Sequence, residues 1–337
     1  MNATTVGIDL AKNVFHVHGA DEKGHRVFTQ RVSRSRLREF IANLPSCLIG
    51  MEACGGAHYW ARCFQAMGHT VRLISPQFVK PFVKSNKNDR NDAEAICEAV
   101  CRPTMRFVAI KSIEQQDRQA LHRVRQRLIG QRTALINQIR GLLSEYGIVI
   151  ARQPAALRRR LPEVLEDGDN ELSPSARCLF SQLHDELIEI QHRLNPVDQA
   201  IKDLAAQDET CRRLQDVEGV GPLTATALTA AVGDARVFEN GRQFAAFLGL
   251  VPRQYSSGGK ERLGGISKRG DTYLRTLLIH GARAAVRSAR KKDTARANWI
   301  RRLEQRCGLQ KTIVAVANKN ARVLWALMAR GEVYKAA

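Results

Sequence analysis

The chain has 337 residues, with 53 Lys and Arg against 33 Asp and Glu, a formal net charge of +20. No apolar run reaches the roughly 18 residues of a membrane span, and Met1-Asn2-Ala3-Thr4 leads straight into a strand-like run instead of a secretory signal, so a cytoplasmic, nucleoid-associated protein with no membrane partner is expected. The basic excess is uneven, with 21 Lys/Arg and 5 Asp/Glu between Arg236 and Arg330, which points to a nucleic-acid partner bound in a salt-dependent way.

In chain order, residues 4–10 read as a buried strand, Asn13 to Ala20 as a second and Arg26 to Val32 as a third, with the turn Asp21-Glu22-Lys23-Gly24 between the last two. Ser33 or Ser35 can cap a helix carrying Leu37, Phe40, Ile41 and Leu44 at helical spacing. A fourth strand ends at Glu52. Gly55-Gly56 breaks the chain before a helix through Met67, and Thr70 to Ser75 forms a fifth strand. The order β-β-β-α-β-α-β followed by a helix matches a ribonuclease-H-like plan, a mixed sheet with helices on its faces.

On that plan four acids fall together. Asp9 ends the first strand, Glu52 ends the fourth beside it, and a helix from Asn91 to Cys101 returns Asp92, with Asp89 three residues before it, over the same edge. Asp89 or Asp92 alone reads most simply as a helix cap. All four in this order read as a site for a divalent cation held against a phosphate.

From about Ile113 the pattern changes. Leu121, Val124, Leu128, Leu135, Ile139 and Leu142 form one heptad-like stripe, and Leu179, Leu183, Leu187, Ile190, Leu194, Val197, Ile201 and Leu204 form another. They predict an antiparallel helical pair, either a hairpin within the chain or an arm that also joins subunits. Pro196 is expected to kink or interrupt the second helix. Ala151 to Ser173, with Pro154, Pro162, Gly168 and three consecutive arginines, reads as a linker. None of the eight cysteines forms a C-x-x-C pair, and Cys97 and Cys101 read as buried thiols at helical spacing.

Val217-Glu218-Gly219-Val220-Gly221-Pro222 resembles the hairpin of a helix-hairpin-helix module, in which Gly219 and Gly221 let backbone N–H groups approach a phosphate. The segment from Gly249 to Asp271 reads as a flexible, hydroxyl-rich basic loop. Its serines could bind a phosphate or attack it, and Lys260, Arg262, Lys268 and Arg269 could hold phosphate oxygens. Helices are expected over Tyr273–Arg290, Ala295–Cys307 and Thr312–Arg330.

Taken together, Gly7-Ile8-Asp9-Leu10-Ala11-Lys12, Met51-Glu52-Ala53-Cys54-Gly55, Asp89-Arg90-Asn91-Asp92-Ala93, Gly219-Val220-Gly221-Pro222, Gly249-Leu250-Val251-Pro252, Ser256-Ser257-Gly258 and Ile266-Ser267-Lys268-Arg269-Gly270 resemble the DEDD-type insertion-sequence transposases, the group described as bridge-RNA-guided recombinases. The match runs nearly end to end. It implies a RuvC-like catalytic domain over residues 1–110, a coiled-coil segment over 111–210 and a mainly helical transposase domain over 211–337. It implies Asp9, Glu52, Asp89 and Asp92 as the metal-binding acids, with Mg²⁺ or Mn²⁺ as the ion. The family's nucleophilic serine, which precedes a glycine, falls on Ser257, with Ser256 its neighbour and alternative. Double-stranded DNA of the element ends and target, a structured guide RNA and a homo-oligomer from dimer to tetramer are the implied partners. The competing reading from the acids alone is a metal-dependent junction resolvase that uses water in place of a serine.

Overall fold

The structure, a computed structural model, describes residues 2–84 and 88–335. The chain divides into two compact units, Met1–Glu114 and Gln115–Ala337.

In the first unit, three strands with buried apolar positions open the chain: β1 (Thr5–Asp9), β2 (Val14–Ala20) and β3 (Arg26–Ser33). They are followed by α1 (Leu37–Ala42), β4 (Leu48–Glu52), α2 (Ala57–Ala66), β5 (Thr70–Ile74), a short α3 (Pro76–Val79), α4 (Asp89–Val100) and the two-residue strand β6 (Phe107–Val108). The sheet order is β3-β2-β1-β4-β5-β6. β1, β4 and β5 run parallel, while β2, β3 and β6 pair antiparallel to their neighbours. This is the expected ribonuclease-H-like mixed sheet, with β6 an added edge strand too short to show a period of two.

The alternation of β1 explains the layering. Val6 and Ile8 are fully buried and pack in one core with Leu37, Ile41, Trp60 and Phe64 of α1 and α2. The opposite face carries Thr5, Gly7 and Asp9 and receives α4. Gly7 of β1 stands directly opposite Gly50 of β4. A Cβ at Gly7 would lie 2.2 Å from the Ala93 carbonyl oxygen and 2.5 Å from the Cys97 nitrogen, and one at Gly50 would lie 2.8 Å from Val100 Cβ. The paired glycines therefore form a trough into which the backbone of α4 sinks.

The second unit opens with α5 (Ile113–Ser144, its first two residues closing the first unit), α6 (Pro154–Glu166) and α7 (Pro174–Gln207). Arg118, Arg125 and Arg132, at heptad spacing on α5, donate to Asp208, Asp198 and Gln191 at the end of or along α7, at 2.5, 2.5 and 3.0 Å. The descending partner numbers make the two long helices antiparallel, as their stripes predict. Two expectations are corrected here. The presumed linker is the helix α6, whose Leu157, Leu161 and Val164 are buried at i, i+4 and i+7 against both long helices; Pro154 sits in its first turn, where a missing N–H is harmless. α7 is not interrupted at Pro196 and runs on, with buried Leu187, Ile190 and Leu194 before the proline and Ile201 after it. That flanking burial outweighs the roughly 3 kcal/mol a helical proline costs.

The remaining elements are α8 (Glu209–Gln215), α9 (Pro222–Val232), α10 (Gly241–Phe247), the hairpin β7 (Pro252–Gln254) and β8 (Leu263–Ile266), then α11 (Thr272–Ala289), α12 (Ala295–Cys307) and α13 (Leu309–Arg330). The helices share one core that includes Leu228, Phe244, Leu278, Ile300 and Leu324. The segment expected to be a flexible loop is instead a two-stranded ribbon. Among the described residues, no helix is long and apolar enough to cross a membrane.

Candidate active site

The acid site is built by running α4 against β1. Cys97 and Cys101 touch Thr5 through their sulfurs, Ala93 and Cys97 cover Gly7, and Asp89 then falls at the level of Asp9. The lengths agree: the four steps from Thr5 to Asp9 span about 13 Å of strand, and the eight from Cys97 to Asp89 about 12 Å of helix. Burial beneath the helix pushes the Cys97 thiol up to about 12. The cap of α4 is Asn88, whose Oδ1 accepts the Asn91 N–H at 2.9 Å. Asp89 and Asp92 thus occupy the first turn without serving as the cap, and the capping explanation for them does not hold.

Glu52 follows Met51, which pairs with Ile8 in the parallel register, so Asp9 and Glu52 end adjacent strands on the face that bears Gly7 and Gly50. Asp92 lies on the helical row that continues through Ile96 to Val100, the residue that covers Gly50. Both carboxylates at the strand ends are felt by Cys54: burial first, then the charges of Glu52 and Asp9, raises its thiol pKa, although part of that side chain reaches solvent.

One member of the site was not among the residues singled out from sequence. His16 faces Asp9 across the β1–β2 ladder, and ligand atoms of Asp9, His16 and Asp89 all lie within 4.8 Å of one another. Glu52 and Asp92 stand outside this tight triple. The His16 side chain is 14% exposed and its Nδ1 lies 3.5 Å from Asp89 Oδ2, while Asp89 is 65% exposed. That Nδ1 is buried and makes no hydrogen bond among the described residues. A buried, unsatisfied nitrogen aimed at two carboxylates suits a divalent cation. Carboxylate oxygens are the ligands Mg²⁺ and Mn²⁺ prefer, and an added imidazole is better tolerated by Mn²⁺. The strict alternation of Asn13 to Ala20 carried the signal, since it places His16 on the Asp9 face once the register is known.

The serines lie far along the chain, on the ribbon. Gln254 pairs with Leu263, the Tyr255 N–H donates to the Arg262 carbonyl at 2.9 Å, and Ser257 bridges to Lys260. The turn is Gly258-Gly259 with φ of +57° and +77°, the doubly positive pattern of a type I′ hairpin that few residues other than glycine adopt. Opposed residues share a face. One face therefore carries Arg253, Tyr255, Ser257, Lys260 and Arg262, and the other carries Gln254, Ser256, Glu261 and Leu263. The hydrogen bond from Gln254 Nε2 to Ser256 Oγ, at 3.0 Å, fits this division. Ser257 is thus exposed among cations, whereas Ser256 is engaged on the reverse face. At the base of the ribbon, buried Arg275 donates to the Leu248 and Arg269 carbonyls at 3.3 and 3.1 Å. Lys268, the one non-glycine residue with positive φ among those described, is held there by its N–H to the Gly249 carbonyl at 3.1 Å.

The two glycines of the helix-hairpin-helix segment differ. A Cβ on Gly219 would lie 2.4 Å from the Gly281 carbonyl of α11, so Gly219 serves a backbone-to-backbone contact. Gly221, in front of α9, opens onto free space.

This arrangement has relatives. Residues 6–148 match a DEDD-type transposase profile of the IS110 group, and residues 211–298 match the profile described as "Transposase IS116/IS110/IS902 family". A probable family 20 transposase of Pseudomonas aeruginosa is 52% identical over 336 residues, covering 99% of both chains. The transposase for insertion sequence element IS1111A of Coxiella burnetii is 48% identical, covering 98% of this chain and 91% of its own. The transposase for insertion sequence element IS1328 of Yersinia enterocolitica is 43% identical, covering 99% of both. With both profiles matched in order and this identity along its whole length, the chain belongs to the IS116/IS110/IS902 family of insertion-sequence transposases.

Proposed function

We propose that this transposase cuts and rejoins the DNA of its element by a serine–DNA intermediate, with a divalent cation held by the acid site. The observation that carries the reading is the alternation of the ribbon, which leaves Ser257, and not Ser256, on the face shared with Arg253, Lys260 and Arg262. Ser257 Oγ attacks the phosphorus as its proton departs. One phosphorus–oxygen bond to a sugar breaks, that oxygen leaves as a hydroxyl, and the phosphoserine formed is reversed when a new sugar hydroxyl attacks. The ribbon cations hold the non-bridging oxygens. Asp9, Asp89 and His16, with Glu52 and Asp92 beside them, would hold the ion, which supplies charge stabilisation at the scissile phosphate. The reading requires the ribbon and the acids to act on one phosphodiester.

Gly221 at the head of α9 and the left-handed Lys268 beside Arg269 are the further phosphate contacts of this reading. An RNA guide and a dimer-to-tetramer assembly accompany it; family membership and the basic stretch from Arg236 to Arg330 support the first, and the exposed Val124, Leu142 and Leu179 on the long helices support the second.

The test is a denaturant-resistant protein–DNA adduct formed on element-end DNA in Mg²⁺. Ser257→Ala is expected to abolish it and Ser256→Ala to keep it, while Asp9→Asn loses cleavage with DNA affinity retained. Cleavage by Ser257→Ala at the wild-type rate would return the protein to the water-using, resolvase-like reading.

A further inference from the structure

The serine-bearing face of the ribbon carries one residue that phosphate chemistry does not use. Tyr255 is 67% exposed. Its hydroxyl has no hydrogen-bond partner among the described residues, and no other aromatic ring packs against it. Leu263 on the reverse face is 64% exposed. A bare tyrosine ring on a short ribbon is a poor solvent surface. The ribbon's turn is set by two left-handed glycines, and its base is held by Arg275.

The surroundings specify what covers the ring. Arg253 precedes Tyr255 by two residues on the same face, and Arg262 stands opposite it. Ser257 follows by two residues, about 7 Å along the strand. A flat ring bordered by guanidinium groups and lying one strand repeat from a phosphate-attacking hydroxyl is the arrangement that holds a nucleotide: cations take the phosphates and the ring takes the base. Gly264, opposite Arg253, has no side chain to crowd that face.

We infer that Tyr255 stacks on an unpaired DNA base next to the phosphate attacked by Ser257, so that the ribbon holds a distorted strand end and not an intact duplex. The inference rests on the assignment of Ser257 as nucleophile. Tyr255 is a positioning residue: it fixes the nucleotide whose phosphate is cut. Because stacking needs a π-face and no particular hydrogen bonds, it serves any base.

The test uses the full-length Ser257→Ala protein in its complete complex with element-end DNA, with 5-iododeoxyuridine placed in turn at each nucleotide around the cut. Irradiation is expected to cross-link Tyr255 at a nucleotide flanking the cleaved phosphate, as mapped by mass spectrometry. Adding Tyr255→Ala is expected to cut the yield at that nucleotide at least tenfold, and Tyr255→Phe, which keeps the ring, to recover it. With Ser257 intact, Tyr255→Ala should slow cleavage by about tenfold. Cross-links that map elsewhere in the protein, or a Tyr255→Ala enzyme that cleaves like wild type, overturn the inference. The two readings fail separately: an adduct that persists in Ser257→Ala removes the nucleophile assignment, whereas a missing Tyr255 cross-link with that adduct abolished removes only the stacking.

Discussion

His122 is buried, and both of its ring nitrogens are engaged. Its Nε2 meets Thr226 Oγ1 at 3.0 Å and its Nδ1 meets Tyr273 Oη at 3.0 Å. Thr226 Oγ1 already donates to the Pro222 carbonyl at 2.7 Å, so it accepts from His122, and the proton of the neutral ring sits on Nε2. Tyr273 then donates to Nδ1. Burial, with the charge of Arg125 adding to it, pushes the His122 pKa down to about 4. The sign follows. Between pH 6.5 and pH 4 the unfolded chain binds a proton that the folded chain refuses, so stability is full above pH 6.5 and is lost as pH falls toward 4. The shift corresponds to roughly 3 kcal/mol. His122→Asn should remove this dependence: in denaturant titrations at pH 7 and pH 4.5, the gap between wild type and variant should narrow by about 2 kcal/mol at the lower pH. A constant gap would mean the folded ring takes up its proton as readily as the unfolded one. Nothing in the sequence distinguished this histidine, since a histidine amid apolar residues on a long helix gains its meaning only when α9 and α11 supply Thr226 and Tyr273.

The helix α4 shows how one element carries the site. Gly7 and Gly50 look like weak points in two apolar strands, yet their pairing is what lets Asp89 descend to Asp9. Gly7→Ala places a methyl against backbone that cannot rotate away, which should cost about 1–3 kcal/mol. It should lower cleavage by about a hundredfold, because a displacement near 1 Å separates the ligands. Gly50→Ala meets the Val100 side chain first, at 2.8 Å, and not backbone, and should be milder in both respects. Urea midpoints and cleavage rates of the two variants check this, and a Gly7→Ala protein of normal stability and rate would refute the close docking. The same contrast sets what could be read in advance. The parallel strands β1 and β4 were legible as apolar runs, and β2, β3 and β5 as partly alternating ones, each bounded by turns. α6 was hidden by Pro154, Pro162 and the three arginines, although Leu157, Leu161 and Val164 kept the helical period. The ribbon was hidden because both of its faces are exposed and mostly polar, with no apolar alternation, leaving Gly258-Gly259 as the mark of a hairpin.

At the scale of the molecule, charge was the plainest signal, but its partition was not. Arg236, Arg290, Lys292, Arg296, Arg301 and Arg330 are engaged with acids, and Glu218 alone serves both Lys292 and Arg296. By contrast Arg253, Lys260, Arg262, Lys268 and Arg269 make no ion pair among the described residues and are exposed. Of the 21 cations from Arg236 to Arg330, the six paired ones neutralise acids of the fold, and the five on and beside the ribbon are among those left to meet a polyanion. Counterion release separates them, since each phosphate neutralised adds about 0.9 to the slope of log affinity against log salt. Replacing Lys260, Arg262, Lys268 or Arg269 by alanine should each lower that slope by about 1 and weaken binding to all DNA sequences alike. Arg236→Ala should change it little, because Arg236 already neutralises Asp234 and not a phosphate. Affinities measured between 50 and 200 mM salt decide the matter. If the four ribbon variants keep the wild-type slope while Arg236→Ala lowers it, DNA lies on the paired surface and the ribbon is not its cradle.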